Sequence, residues 1–147
     1  MNKTTIEEII EKNGKYLSTT VGDSMEPLLR HRSNTVVIKR AEQPLKKYDV
    51  PLYRRPDGKY VLHRIVAVRE KKGYYSIVGD NRWKKEKVPF SWIVGVMEGY
   101  YEGDRYISVE DENYLKYVRK LTRNYPFRAI RLIGKRIFGN EGKKKFD

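Results

Sequence analysis

Residues 21–29 of the sequence, VGDSMEPLL, contain the pattern around which the rest of the chain can be interpreted. In this stretch Gly22 and Asp23 precede Ser24, and Pro27 follows it by three residues. A serine that acts as a nucleophile needs an accessible hydroxyl group and a backbone N–H nearby. A glycine before it permits another chain to approach closely, and a proline after it restricts the backbone that leaves the loop. This order of residues indicates that Ser24 is a candidate nucleophile.

Short segments rich in β-branched and aromatic residues lie on both sides of this stretch, with frequent turn signals between them. Segments of this kind are typical of β-strands, and many short strands in succession favour a β-barrel or a coiled sheet. Pro51 restricts its segment to a sheet edge or a bulge, because proline cannot donate a backbone hydrogen bond. We predict a mostly β fold with strands at residues 16–21, 35–40, 48–54, 60–69, 74–78, 88–96 and 106–109.

Helices are predicted before and after the β region. Thr5 is an N-cap residue followed three positions later by Glu8, and Asn13-Gly14 provides the stop signal. After Glu110 the composition changes to aliphatic residues at helical spacing among lysines and arginines. We therefore divide the chain into an N-terminal helix at residues 1–14, a β domain at 15–110, and a basic, amphipathic helical extension with a tail at 111–147.

The charge of the chain favours an anionic partner. It has 32 lysines and arginines against 19 aspartates and glutamates, which gives a net charge of +13. Such a surplus attracts nucleic acid, an anionic membrane surface or an acidic peptide, and a lysine-rich surface without such a partner is the alternative. Because the chain has no cysteine, disulfides and thiolate metal sites are excluded. We expect neither a metal ion nor a cofactor.

The sequence shows no targeting segment and no membrane span. Residues 1–12 include Glu7, Glu8 and Glu11 and lack a long apolar run, which is unlike a signal peptide. No apolar stretch approaches the roughly 18 residues that a spanning helix needs. We therefore expect a cytoplasmic protein that could also associate with the periphery of a membrane.

His63 is the candidate general base. Only two histidines occur in the chain, and the other, His31, lies in the basic loop Arg30-His31-Arg32. An imidazole titrates near neutral pH and can accept the proton of a serine. A histidine among apolar strand residues is often only structural, so the residue type alone does not decide its role.

Four segments in order resemble the signal-peptidase and LexA-like serine peptidases. They are the nucleophile box GDSMEP (22–27), the strand YDVPLY (48–53), the strand LHRIV (62–66) and the turn GDN (79–81); the segment IVGV (93–96) resembles the closing strand of that group. Bacterial signal peptidases and LexA-like proteins have a lysine base, whereas archaeal and endoplasmic-reticulum signal peptidases have a histidine. The resemblance covers roughly residues 16–109. It implies a coiled β-sheet barrel of the signal-peptidase/LexA type, with Ser24 as nucleophile and His63 as base.

The resemblance also implies an acid that orients the imidazole. Asp80 is the candidate, since the histidine-type enzymes use an aspartate in this region. Those enzymes usually place a second aspartate six residues later, where this chain has Glu86, so Glu86 is an auxiliary candidate and the choice stays open. Gly22 replaces a serine that signal peptidases commonly place two residues before the nucleophile. Backbone N–H groups, including that of Ser24, would therefore bind the oxyanion.

The function that the resemblance implies is that of a serine endopeptidase cleaving a leader- or signal-like precursor peptide. Met25 and the apolar strands would wall a shallow groove in which an extended peptide adds a strand to the sheet edge. Family substrates have small residues before the cut. One alternative is a catalytically inactive module that binds a membrane surface or nucleic acid. The other, a repressor-like self-cleaving protein, is weakened because residues 1–22 contain neither a helix-turn-helix domain nor an Ala-Gly or Cys-Gly cleavage site.

The basic extension permits two interpretations. Its first segment carries Leu115, Val118 and Leu121 at helical spacing, and a similar pattern continues after Pro126. Such helices pack on a core, or they lie on an anionic membrane surface with their cations facing the lipid headgroups. We predict peripheral membrane contact through residues 113–138.

Overall fold

A computed structural model describes residues 4–143 of the chain. The fold is mostly β, with 36% of residues in strands and 27% in helices, as the sequence predicts. Residues 1–3 of the predicted N-terminal segment and residues 144–147 of the predicted tail lie outside the described residues. In chain order the elements are α1 (Ile6–Asn13), β1 (Lys15–Thr19), β2 (Asn34–Lys39), β3 (Pro51–Arg54), β4 (Tyr60–Leu62), β5 (Arg64–Arg69), β6 (Tyr74–Val78), β7 (Glu86–Pro89), β8 (Ile93–Glu102), β9 (Arg105–Ser108), α2 (Glu112–Arg123) and α3 (Tyr125–Lys143).

The strands form two antiparallel sheets. The larger has the order β1-β2-β8-β3-β4, with β9 also paired to β8, and it curls into a half-barrel. The smaller contains β5, β6 and β7 in chain order. β1 and β4 are edge strands of the larger sheet, so each has one side on which its backbone groups are not paired within that sheet.

The predicted strand at 60–69 is wrong as a single element. It is interrupted at His63, where β4 ends and β5 begins. β4 pairs with β3 in the larger sheet, whereas β5 pairs with β6 in the smaller one. The chain must therefore change sheets at His63, which places this residue at the junction. In the same way, the predicted strand at 88–96 is divided by a short 3-10 turn, Phe90–Trp92, between β7 and β8.

The helix α1 forms as its capping residues predict. Thr5 Oγ1 accepts the N–H of Glu8 at 3.1 Å, and Gly14 ends the helix in the left-handed conformation with φ of 80°. Glycine has no Cβ to oppose that conformation. Ile10 on this helix is buried in the main hydrophobic core together with Tyr114 and Val118 of α2. The N-terminal helix and the first helix of the basic extension thus share a core with the larger sheet.

Tyr48 has an unusual backbone conformation. Its φ is +78°, in the left-handed region that favours glycine. The Tyr48 N–H donates to the carbonyl oxygen of Ile65 at 2.8 Å, and its own carbonyl accepts from Arg64 Nη1 at 2.9 Å. These hydrogen bonds hold the residue in a conformation that its side chain disfavours.

The two helices of the extension differ in their packing. α2 begins at an Asp111 N-cap and buries Tyr114 and Val118. α3 follows at Tyr125 and exposes large apolar side chains, among them Phe127 and Ile130, each 72% accessible. Neither of these helices, nor any other in the described part of the chain, is long and apolar enough to cross a membrane.

Candidate active site

A groove of about 580 Å³ is lined in part by residues of both edge strands of the larger sheet. β1 contributes Ser18 and Thr19 to its lining, and β4 contributes residues 60–62. Ser24 and His63 both line this groove. The two residues predicted to carry the chemistry therefore face the same space.

The loop of residues 79–82 is hydrogen-bonded to the loop that carries Ser24. The Asn81 N–H donates to the Ser24 carbonyl oxygen at 2.8 Å, and Asn81 Nδ2 donates to the Asp23 carbonyl oxygen at 3.1 Å. Arg82 also pairs with the Asp23 carboxylate at 2.6 Å, but both side chains are about half exposed. Exposed ion pairs contribute little to stability, so the hydrogen bonds of Asn81 do most to hold Ser24 in place.

Gly79 allows Ser24 and His63 to approach the same point. A Cβ atom at this position would lie 2.7 Å from the Ser24 carbonyl oxygen and 3.2 Å from His63 Nε2. The first contact is shorter than real Cβ contacts, so only glycine fits here without displacement of the loops. Within the described structure no hydrogen bond joins Ser24 Oγ to the imidazole. Such contacts are commonly long before a substrate binds.

His63 is half-buried against an aromatic ring. Its imidazole lies edge-on to the buried ring of Tyr53, with 6.5 Å between ring centroids and 72° between planes. Burial lowers the pKa of His63 to about 4, with Glu86 opposing that shift and Arg55 and Arg82 adding to it. The imidazole is therefore uncharged at neutral pH, which is the form that accepts a proton.

Asp80 is hydrogen-bonded to residues other than His63, the partner that the resemblance implies. Its carboxylate accepts hydrogen bonds from Arg64 Nε and Nη2 at 2.8 and 2.9 Å, and from the Tyr117 hydroxyl at 2.9 Å. Arg64 and Asp80 side chains are both fully buried. Among the hydrogen bonds of the described residues, none joins Asp80 to His63. The observed contacts fix the position of the loop after β6 instead of the imidazole ring.

Glu86, the auxiliary candidate, is the carboxylate with the larger electrostatic effect on His63. It accepts from the Tyr53 hydroxyl at 2.6 Å and from Arg55 Nε and Nη2 at 2.9 Å each. Burial opposes ionisation of Glu86, but the hydrogen bonds from Arg55 and Tyr53 hold its pKa below the ordinary value. Glu86 is therefore charged and favours the protonated form of His63, while its own carboxylate is hydrogen-bonded to Tyr53 and Arg55.

The other members of the nucleophile box shape the loop. Gly22 has φ of +86°, and its N–H donates to His31 Nδ1 at 2.7 Å. That N–H is therefore occupied and is not available to an oxyanion. Met25 is buried and lines the groove, and its sulfur accepts from the Asp80 N–H at 3.3 Å. Pro27 is exposed and lines a different pocket, away from Ser24.

Three contributors were not anticipated from the sequence. His31 caps the backbone of Gly22, Arg64 binds Asp80, and Tyr117 binds the same carboxylate from α2. The presence of Arg64 between apolar residues of a strand was the available signal, since a buried charge requires a partner. Nothing in the sequence around Tyr117 distinguishes it from the neighbouring tyrosines.

No protein-family model matches this sequence, and no curated protein matches it.

Proposed function

We propose that this chain is a serine endopeptidase with a coiled sheet of the signal-peptidase/LexA type, acting on leader- or signal-like precursor peptides. The observation that carries the proposal is that Ser24 and His63 line one groove to which both edge strands contribute residues, with Gly79 packed against both. A nucleophile, a neutral base and a strand-shaped binding surface are the parts that peptide hydrolysis requires.

In this proposal an extended peptide lies in the groove and pairs with the free sides of β1 and β4. Ser24 Oγ attacks the scissile carbonyl carbon while His63 removes the hydroxyl proton, and the Ser24 N–H donates to the oxyanion. Collapse of the tetrahedral intermediate breaks the C–N bond, and His63 returns the proton to the leaving amine. Water then hydrolyses the acyl-enzyme, with His63 again acting as base.

The structure supports a modified assignment of the two carboxylates. Asp80 is a positioning residue, because its hydrogen bonds to Arg64 and Tyr117 hold the loop that carries Gly79 and Asn81. Glu86 acts on His63 electrostatically and limits how far burial lowers the pKa of the imidazole. Packing against Tyr53 restricts the orientation of the ring.

The test is cleavage of a peptide mixture derived from a digested proteome, with new termini identified by mass spectrometry. Ser24→Ala and His63→Ala should each reduce the rate of cleavage by about 10³-fold or more, and the double variant should be no worse, since the residues act as a unit. Ser91→Ala is the matched control, because Ser91 is exposed in the turn between β7 and β8 and does not line the groove. Unchanged cleavage by the Ser24→Ala protein, or no cleavage by the natural sequence, would favour the inactive binding module.

A further inference from the structure

A second cavity of about 310 Å³ adjoins His63. Arg55, His63 and Arg82 line both this cavity and the groove, so the two spaces meet at the imidazole. Ser24 lines the groove but not the second cavity. The remaining wall of the second cavity comes largely from residues 83–85, which lie between β6 and β7, and from Glu86, the first residue of β7.

This cavity carries an excess of positive charge. Arg55 is paired with Glu86 at 2.9 Å, so its charge is compensated. Lys84 and Lys85 are exposed, and in the described part of the chain neither belongs to an ion pair. The Lys84 ammonium group lies 5.5 Å from the centroid of the Trp83 ring, a cation–π distance that keeps it beside the cavity wall.

The position of the cavity relative to His63 indicates which part of a bound peptide the cavity would contact. His63 must deliver its proton to the leaving amine, so the segment that departs has to pass next to the imidazole. The acyl part of the substrate stays with Ser24 in the groove. A cavity that adjoins His63 without including Ser24 therefore lies on the side of the departing segment.

We propose that this cavity binds a carboxylate of the segment that follows the scissile bond, through Lys84 and Lys85. The inference rests on the proposed peptidase function and adds a substrate class to it: precursors with Asp or Glu within the first few residues after the cut. Two cations without acidic partners, held beside a cavity that also contains Trp83, fit a carboxylate better than a basic or apolar side chain. A carboxylate at the free C-terminus of a short departing segment offers the same chemistry.

The experiment uses the same digested-proteome peptides and compares three proteins: the natural sequence, Lys84→Gln/Lys85→Gln, and the control Lys71→Gln/Lys72→Gln. The control lysines lie in the turn between β5 and β6 and do not line the cavity. The natural sequence should prefer acidic residues after the cut, and the first variant should reduce that preference about fivefold, in line with two partly exposed ion pairs. The control variant should retain it, and 0.5 M salt should weaken it.

The outcomes separate the two proposals. Cleavage that depends on Ser24 but shows no preference for acidic residues, or an unchanged preference in Lys84→Gln/Lys85→Gln, overturns the carboxylate site and leaves the peptidase intact. No cleavage dependent on Ser24 overturns the proposed function, and the subsite with it. Acidic residues spread along the departing segment support a side-chain carboxylate. Cuts confined to the last residues of the peptides, and lost when the C-termini are amidated, support a terminal carboxylate.

Discussion

Burial keeps the imidazole of His63 uncharged at neutral pH, and this determines how the proposed base responds to acid. If His63 is the base, kcat/KM for peptide cleavage should be constant between pH 7 and about 5. It should then fall as the imidazole is protonated, with an apparent pKa near 4. NMR titration of the imidazole, with His31→Asn protein used to assign the resonances, provides the independent measurement. An inflection near pH 6.5 in both experiments would contradict the burial of His63.

The lowered pKa of His63 also affects the stability of the folded chain. The pKa of His63 is about 4 in the folded chain and about 6.5 for an unperturbed histidine, so the unfolded chain binds more protons between these values. The contribution of His63 to stability is therefore complete above pH 6.5 and declines as the pH falls to 4. Urea unfolding at pH 7 and pH 5 should show a larger loss for the natural sequence than for His63→Gln. Equal losses would show that His63 does not carry the effect.

Substitution of Asp80 distinguishes an acid that orients the His63 imidazole from a residue that positions the loop after β6. Asp80→Asn leaves the fully buried Arg64 without a counter-charge, and loss of one partner of a buried pair typically destabilises by about 3–5 kcal/mol. We expect a loss of this size in chemical unfolding, with Asp104→Asn, an exposed loop aspartate, as the control. An Asp80→Asn protein of unchanged stability that has lost cleavage would instead support the orienting role that the resemblance implies.

For individual residues, the sequence could predict which of them share the groove, but not all of their contacts. Ser24 and His63 belong to local patterns with recognisable order. The partner of Asp80 depends on the burial of Arg64 and on α2, which docks from another part of the chain. Such a choice between neighbouring partners is made by tertiary packing, and a single sequence contains no direct record of it.

Among the elements, those governed by local interactions were the most predictable. The ends of α1 follow from Thr5 and Gly14, which act within one turn of the helix. The break of the segment 60–69 does not follow from its composition, because β-branched residues occur on both sides of His63. It arises because β4 and β5 find their hydrogen-bond partners in different sheets.

The two interpretations of the extension, core packing and membrane contact, apply to different helices. α2 contributes Tyr114 and Val118 to the core, so packing accounts for it. α3 presents Phe127, Ile130 and Ile137 to solvent, with Arg131 and Lys135 also exposed on the same helix. The predicted membrane contact therefore falls on α3, and a truncation after Glu110 would be a poor test because it removes part of the core.

We expect α3 to bind vesicles that contain anionic lipid. Each basic residue near such a surface contributes about 1 kcal/mol, and the exposed apolar side chains enter the interface. Ile130→Asn/Ile137→Asn should reduce co-sedimentation with phosphatidylglycerol-containing vesicles, and so should high salt. Leu115→Asn, on α2, is the control of similar chemistry.

Co-sedimentation that is unaffected by Ile130→Asn/Ile137→Asn would exclude the α3 face as the membrane contact. No binding to anionic vesicles by the natural sequence, together with a dimer in solution that these substitutions dissociate, would assign the exposed face to a second copy of the chain.

For the whole molecule, the curl of the larger sheet is the feature that creates a site. Residues of β1 and β4, the two ends of one strand order, both line a single groove. The mostly β character could be predicted from short strands and turn signals, but which edges face each other depends on the pairing order. The net charge of +13 likewise predicts attraction to anions without saying where. The structure locates two concentrations of that charge, at residues 82–85 beside His63 and along α3.

The hydrogen bond from Tyr117 to Asp80 has a consequence for the order of events during synthesis. The nucleophile, the base and the loop after β6 all precede α2 in the chain, and a ribosome adds roughly 5–20 residues per second. Until α2 emerges and docks, the buried carboxylate of Asp80 lacks one of its donors, and the core lacks Tyr114 and Val118. The nascent chain therefore carries Ser24, His63 and Asp80 before it holds them in place, and the proposed site is complete only when the C-terminal part arrives.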